Sequence, residues 1–154
     1  MKKIALRLIV VTVLFAMVLS ACGPKATPEP VVETKPFRVA IVMPSSITDM
    51  AFSQSMYEGL LAVQKEMGVD KMEIAYSEGM FNVPDAAAAV RDYASQGFDL
   101  VIAHGSQYGT SLQQIAPDFP ETSFAWGTSL DTFQKDGINN VFADQAEAQQ
   151  GGYV

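Results

Sequence analysis

The sequence predicts an α/β fold with a doubly wound, mainly parallel sheet. Short apolar segments of strand length alternate along the chain with longer segments whose apolar residues recur at helical spacing. The short segments are apolar at successive positions, as strands covered on both faces are. Alternating strands and helices favour parallel pairing with right-handed crossovers. With 154 residues and 49% hydrophobic content, the chain is long enough for one domain and its core.

The first 36 residues are expected to lie outside that domain. Residues 1–21 begin with basic side chains and continue into an apolar run that is too short to span a bilayer, as in a signal peptide. The segment 19–22 resembles the bacterial lipobox, which implies a lipid on Cys22; the alternative is an ordinary secretory signal with a chance cysteine. Residues 22–36 carry four of the eight prolines and predict an extended tether after the lipidated cysteine.

The domain is predicted to open with a strand at 38–43, a polar turn at 44–48 and a helix that ends at Gly68. The apolar face of this helix is predicted from residues at helical spacing, namely Phe52, Met56, Leu60, Val63 and Met67. A second strand is predicted at 71–76.

The second helix is predicted to begin with Asn82 as its capping side chain and Pro84 in its first turn, and to end at Gly97. A third strand follows at 99–103, and then a turn at 104–110. The remaining elements are a short helix at 110–116, which Pro117 ends, and strands at 123–126 and 138–142.

Candidate site residues follow the first, third and fourth strands. In open α/β sheets, ligands lie over the carboxyl ends of the strands, where the winding direction reverses. The first and third strands should be neighbours there, so their turns should meet. The candidate ligand-binding residues are Ser45, Asp49, Phe52, Ser53, His104, Gly105, Ser106, Gln107, Tyr108 and Trp126.

Four of these residues have a structural alternative. Asp49 either contacts ligand or caps the helix that follows it. Phe52 either stacks on a ligand ring or forms the first core residue of the helix. His104 either contacts ligand or is hydrogen-bonded at a strand end, and Trp126 offers either a stacking face or core packing.

Catalysis and nucleic-acid binding have little support in the sequence. The chain carries 17 acidic against 10 basic residues, whereas nucleic acids select clustered positive charge. Ser106 lacks the glycine two positions earlier that a nucleophile elbow needs, because His104 stands there. The glycine-rich turn lacks the lysine of a phosphate loop, and no metal-ligand spacing is evident. We therefore expect neither an enzyme nor a bound cofactor or metal.

The segment from Thr48 to Leu60 resembles the opening signature of the basic membrane lipoprotein family, the purine nucleoside receptor type of ABC-transporter solute-binding protein. The positions that fit its pattern of Asp-x-Ser-Phe-Asn-Gln, an aromatic residue, Glu and Gly are Asp49, Phe52, Gln54, Tyr57, Glu58 and Gly59. Ala51 and Ser53 depart from it. The resemblance implies a type I periplasmic-binding-protein fold, of which residues 37–154 would form the N-terminal lobe.

The same resemblance implies a function and shows where the chain departs from it. It implies a lipid-anchored protein on the extracytoplasmic face of the membrane that presents a purine nucleoside, a base or a similar heterocycle to an ABC permease. Members of the family tend to carry an Asp for the ribose hydroxyls soon after the third strand, where this chain has Thr110. The alternative is a ligand-sensing surface lipoprotein without a transport role.

Overall fold

A computed structural model describes residues 35–129 and 132–144, with nothing described of the Asp144 side chain. The described part confirms the α/β prediction. Its strands are β1 (Phe37–Val42), β2 (Met72–Ser77), β3 (Leu100–Ala103), β4 (Ser123–Gly127) and β5 (Val141–Asp144). Its helices are α1 (Phe52–Met67), α2 (Val83–Ser95) and α3 (Gly109–Ile115), with short 3-10 segments at Ser106–Tyr108, Ala116–Asp118 and Gln134–Asp136.

All five strands are parallel and lie in the order β2-β1-β3-β4-β5. The chain first winds from β1 to β2, and then passes back over β1 to reach β3 on the other side. The direction of winding therefore reverses between β1 and β3. The carboxyl ends of these two strands are the point in such a sheet where ligands bind.

Both faces of the sheet are covered, which explains the continuous apolar strands. On one face, Val39, Ile41 and Met43 pack with Leu60 of α1. On the other, Ala40 and Val42 pack in the larger cluster beneath α2 and α3. Successive residues of β1 point to opposite faces, so each needs an apolar side chain. In the described part of the chain, no helix is long and apolar enough to cross a membrane.

The predicted apolar face of α1 is wrong in its second half. Val63 and Met67 are 45% and 43% exposed, whereas Ser53 and Leu60 are buried. The residues of α1 that pack against the sheet cluster are Met56, Tyr57 and Leu60. The face of α1 that packs on the sheet is therefore rotated about the helix axis relative to the predicted face. At helical spacing, this rotation places Val63 and Met67 at the exposed side of the helix.

The predicted cap of α2 is also wrong, since the Asn82 side chain makes no capping hydrogen bond. A capping side chain accepts from the backbone N–H at the second or third helical position. Pro84 occupies the second position and has no N–H to donate, which leaves the Asp85 N–H at the third position as the one donor available to a cap. The Asn82 carbonyl instead accepts the first helical bond, from the Ala86 N–H at 3.0 Å.

The last strand begins three residues later than predicted. Gly137 adopts a left-handed conformation, with φ of 79°, and ends the 3-10 segment before it. The Asn140 Nδ2 then lies 2.9–3.1 Å from the carbonyl oxygens of Ala116, Phe119 and Thr122, which share its two N–H donors. Ile138 is therefore buried by a turn that Asn140 anchors. The predicted signal peptide at 1–21, Cys22, the tether up to residue 34 and the chain end at 145–154 lie outside the described residues.

Candidate functional site

The turns after β1 and β3 meet at the carboxyl edge of the sheet, as predicted. The His104 N–H donates to the Val42 carbonyl oxygen at 2.9 Å, which continues the β1–β3 pairing one residue beyond the strands. This bond brings the first residue of the β3 turn against the start of α1. The position of the site is therefore fixed by the register of two neighbouring strands.

Phe52 and His104 form the centre of this meeting point. Their rings stack with centroids 3.7 Å apart and an interplanar angle of 14°. The His104 Nε2–H donates to the Phe52 carbonyl oxygen at 3.0 Å. Phe52 stays half-buried, while His104 is fully buried. The imidazole thus lies behind the Phe52 ring and supports it.

The hydrogen bond to Phe52 fixes the protonation of His104. A carbonyl oxygen only accepts, so Nε2 carries the proton, and Nδ1 of the neutral ring is an acceptor. Nδ1 is buried and finds no hydrogen-bond partner among the described residues. Burial lowers the pKa of His104, and the Phe52 carbonyl and the Asp49 carboxylate only partly oppose that effect. His104 therefore stays neutral at physiological pH.

Asp49 holds the first turn of α1. Its Oδ1 accepts from the Ala51 and Gln54 N–H groups at 2.9 and 3.1 Å, and its Oδ2 accepts from the Ser53 N–H at 3.2 Å. Desolvation raises the pKa of Asp49, but hydrogen bonds from Gln54, Ala51, Ser53 and the Ser45 side chain together lower it below its ordinary value. The capping alternative thus describes the geometry of Asp49, and the residue remains partly exposed at the surface.

Ser45 and Ser53 differ in exposure. Ser45 is exposed, and its N–H donates to the Oγ of Ser53 at 3.2 Å. Ser53 is fully buried under the turn. The turn is also tied to the loop after β2, because the Ile47 N–H donates to Glu78 Oε2 at 2.8 Å and the Gly79 N–H donates to the Ser45 carbonyl oxygen at 3.1 Å.

The β3 turn presents only part of its polar set to solvent. Ser106 and Gln107 are exposed, whereas Gly105 and Tyr108 are buried. The Tyr108 hydroxyl donates to the Met80 carbonyl oxygen at 2.7 Å. Burial raises the pKa of Tyr108 to about 12, so the phenol stays protonated. In this geometry Tyr108 joins the β3 turn to the loop after β2.

Trp126 packs at the same carboxyl edge of the sheet, near the end of β4. Its Nε1–H donates to the Gly105 carbonyl oxygen at 3.2 Å, and its ring stacks on Phe133 at 5.2 Å. A Cβ on Gly109 would overlap the indole, so the first residue of α3 lies directly on the Trp126 ring. Trp126 remains half-buried.

The structure thus brings all of the predicted site residues to this edge, in two arrangements. Ser45, Asp49, Phe52, Ser106 and Gln107 keep exposed or half-exposed surface at the carboxyl edge, and the half-buried Trp126 packs beside them. Ser53, His104, Gly105 and Tyr108 form the buried layer beneath them.

Two apolar residues in the loops of this edge were not predicted. Met50 is 91% exposed in the turn before α1, and Phe81 is 79% exposed in the loop before α2. For both residues, the sequence signal that could have indicated an exposed apolar side chain was its position within a polar loop. Within the described ranges, no three His, Cys, Asp or Glu side chains are placed to hold a metal ion.

Comparison with known proteins agrees with this architecture. Residues 37–154 match the Bmp family, described as ABC transporter substrate-binding protein PnrA-like. The transcriptional activator protein Med of Bacillus subtilis (strain 168) is 30% identical over 137 residues, covering 88% of this chain and 40% of Med.

Two solved structures show the fold. An ABC transporter solute-binding protein from Conexibacter woesei DSM 14684 superimposes with a TM-score of 0.57 and 24% identity over 69% of this chain and 34% of that one. A second solute-binding protein, from Aeropyrum pernix K1, superimposes with a TM-score of 0.58 and 17% identity. This match covers 70% of this chain and 28% of that one. The chain therefore spans well under half the length of these relatives. By the match over residues 37–154, it belongs to the Bmp family of PnrA-like ABC transporter substrate-binding proteins.

Proposed function

We propose that this protein is the solute-binding component of an ABC importer and that the carboxyl edge of β1 and β3 contributes one wall of its ligand site. The observation that carries the proposal is the half-buried Phe52 ring, which is supported from behind by His104 and flanked by Asp49. An aromatic face beside polar groups at the switch point of the sheet suits a flat heterocycle with polar edges.

The ligand we propose is a purine nucleoside or base. Phe52 would stack on its ring system, a contact that contributes about 0.5–1.5 kcal/mol beyond the buried area. Ser45, Ser106 and Gln107 have exposed side chains able to hydrogen-bond its polar edge. The chain carries exposed Thr110 where the family tends to carry an Asp for the ribose hydroxyls. A different heterocycle is therefore the second ligand class to test.

The first experiment identifies the ligand directly. The full-length protein, produced without residues 1–21, is examined by native mass spectrometry and then denatured to release what it carries. A purine nucleoside or base among the released molecules supports the proposal. Another heterocycle overturns the ligand class and keeps the solute-binding role. A protein that carries no ligand and binds neither adenosine nor guanosine in a calorimetric titration overturns the purine proposal.

A matched pair of variants assigns the site. Phe52→Ala should weaken binding of the identified ligand about tenfold, the loss expected for one stacking contact. Phe37→Ala is the control, because Phe37 is 44% exposed at the opposite, amino end of β1. Equal affinities for these two variants would place the ligand elsewhere.

The proposed setting is the extracytoplasmic face of the membrane, with a lipid on Cys22 and an ABC permease as partner. A single acyl chain gives only marginal membrane binding, so a lipidated cysteine with more than one chain is needed for stable anchoring. Cys22→Ser should abolish labelling by radioactive palmitate and release the protein from the membrane fraction. Retention of that variant in the membrane would contradict the anchor.

A ligand-sensing role without transport is the alternative, and the family description favours transport. The relative Med is named a transcriptional activator, so the two roles need a direct comparison. Deletion of the gene should abolish uptake of the radiolabelled ligand into cells. Unchanged uptake together with altered transcription would favour sensing.

A further inference from the structure

Among the described residues, the buried side-chain polar atom that lacks a hydrogen-bond partner is Nδ1 of His104. Its side chain is fully buried, and within the described residues Nδ1 has no hydrogen-bond donor in reach. A buried acceptor left unpaired destabilises a fold, and proteins rarely keep one without a reason. A phenylalanine would also place an aromatic ring against Phe52, although a somewhat larger one, and would leave no orphan atom at this position.

What an imidazole supplies here, and a phenyl ring does not, is the Nε2–H bond to the Phe52 carbonyl oxygen at 3.0 Å. That carbonyl belongs to the first residue of α1. The flat face of the imidazole adds the stack on the Phe52 ring at 3.7 Å. Both of these contacts of the imidazole therefore act on Phe52, one on its backbone and one on its side chain.

We propose that His104 is a positioning residue that holds the backbone and ring of Phe52 in the orientation that receives the ligand. The inference rests on the proposed function, since it assigns His104 a task in that same site. His104 covers one face of the Phe52 ring, so a ligand ring can stack only on the opposite, outward face. A platform fixed before binding loses less conformational freedom when the ligand arrives, and this raises affinity.

Two variants separate this role from a purely structural one. His104→Phe keeps an aromatic ring against Phe52 and removes both the orphan atom and the donor. His104→Gln keeps an N–H donor and removes the ring. Adenosine and guanosine are titrated into full-length parent and variants by calorimetry, and the thermal midpoints are measured alongside.

We expect His104→Phe to keep or raise the thermal midpoint while weakening nucleoside affinity about tenfold, the loss expected for one removed hydrogen bond. His104→Gln should lower the midpoint but lose less affinity. A structural role alone would move stability and affinity in the same direction. Parental affinity in His104→Phe would overturn the proposal.

A ligand-free measurement keeps the two proposals apart. His104 is the single histidine of the sequence, so its ring nitrogens are assigned without ambiguity by 15N NMR, and Nε2 should carry the proton. Backbone amide exchange of Ser53 and Gln54 should be faster in His104→Phe than in the parent and near-parental in His104→Gln. Unchanged exchange in His104→Phe would overturn the positioning role. Failure of the parent to bind either nucleoside, with the exchange difference present, would instead reject the ligand class.

Discussion

The rings of Phe52 and His104 stack 3.7 Å apart and nearly parallel, although the two residues are 52 positions apart in the sequence. Phe52 is the first residue of α1, and His104 directly follows β3. Their contact exists because β1 and β3 pair in register up to Val42 and Ala103. The candidate ligand platform is thus a product of sheet topology as much as of local sequence.

The buried, neutral state of His104 predicts that the protein loses stability on mild acidification. Its pKa is lowered in the fold, so the unfolded chain takes up a proton first, near the ordinary value of 6.5. The free energy of unfolding should be constant above that pH and fall as the pH drops from 6.5 towards the folded-state pKa. Asp49, the charged neighbour, attracts the proton and moderates the loss, while Tyr108 stays neutral.

Urea unfolding at pH 7.5, 6.5 and 5.5 measures this loss. His104→Phe should show a flatter pH dependence across this range, because it has no group to protonate at this position. An equal slope in parent and variant would show that another group is responsible.

Asp49 is predicted to stabilise the start of α1 through its three backbone N–H contacts. Asp49→Ala should lower the thermal midpoint by several degrees, whereas Glu121→Gln, at an exposed carboxylate before β4, should not. The pKa of Asp49 is lowered, so its contribution is present above the ordinary value of 3.8 and is lost as the pH falls through the folded-state pKa. Thermal scans of parent and variant should therefore converge under strongly acidic conditions. A constant difference at every pH would contradict the prediction.

Met50 is predicted to be strained. Its φ of 55° lies in the left-handed region, and its side chain is 91% exposed, so little packing offsets the strain. Met50→Gly should raise the free energy of unfolding by about 1 kcal/mol, because glycine adopts this conformation without steric cost. Met50→Ala keeps the strain and should change stability by less than about 0.5 kcal/mol. Equal stabilities of the two variants, measured by urea unfolding, would exclude the strain.

The sequence was most informative where a residue's role is set by its own neighbours. Strand and helix order followed from apolar periodicity, and the capping geometry of Asp49 is contained within Asp49 to Gln54. The face that α1 buries depends instead on its rotation over the sheet, which periodicity leaves uncertain by one residue. Val63 was assigned to the core for that reason and is exposed.

Burial at the site could not be predicted for the same physical reason. His104 and Tyr108 occupy a polar, glycine-containing turn, and such turns usually lie at the surface, while Trp126 lies near the carboxyl end of β4. Their partners come from other elements: Phe52 for His104, Met80 for Tyr108, and Phe133 for Trp126. These contacts become visible only after β1, β3 and β4 are placed side by side.

The packing of α3 on β4 gives a final prediction, in which two glycines respond in opposite ways to the same substitution. Gly109→Ala should lower the free energy of unfolding by about 1–3 kcal/mol, because the new methyl group overlaps the Trp126 indole. Gly59→Ala, in the middle of α1, meets no atom within 4 Å and should raise it by about 0.5–1 kcal/mol through helix propensity alone. Chemical denaturation of both variants tests the contrast.

A double variant shows whether the Gly109 effect comes from Trp126. Trp126→Phe removes the part of the indole that the new methyl group would meet, so it should cancel most of the cost of Gly109→Ala when the two are combined. Additive effects of the two substitutions would mean that α3 moves away from β4 to accept the methyl group. Strong coupling would show that Gly109 is required for the close contact between α3 and Trp126.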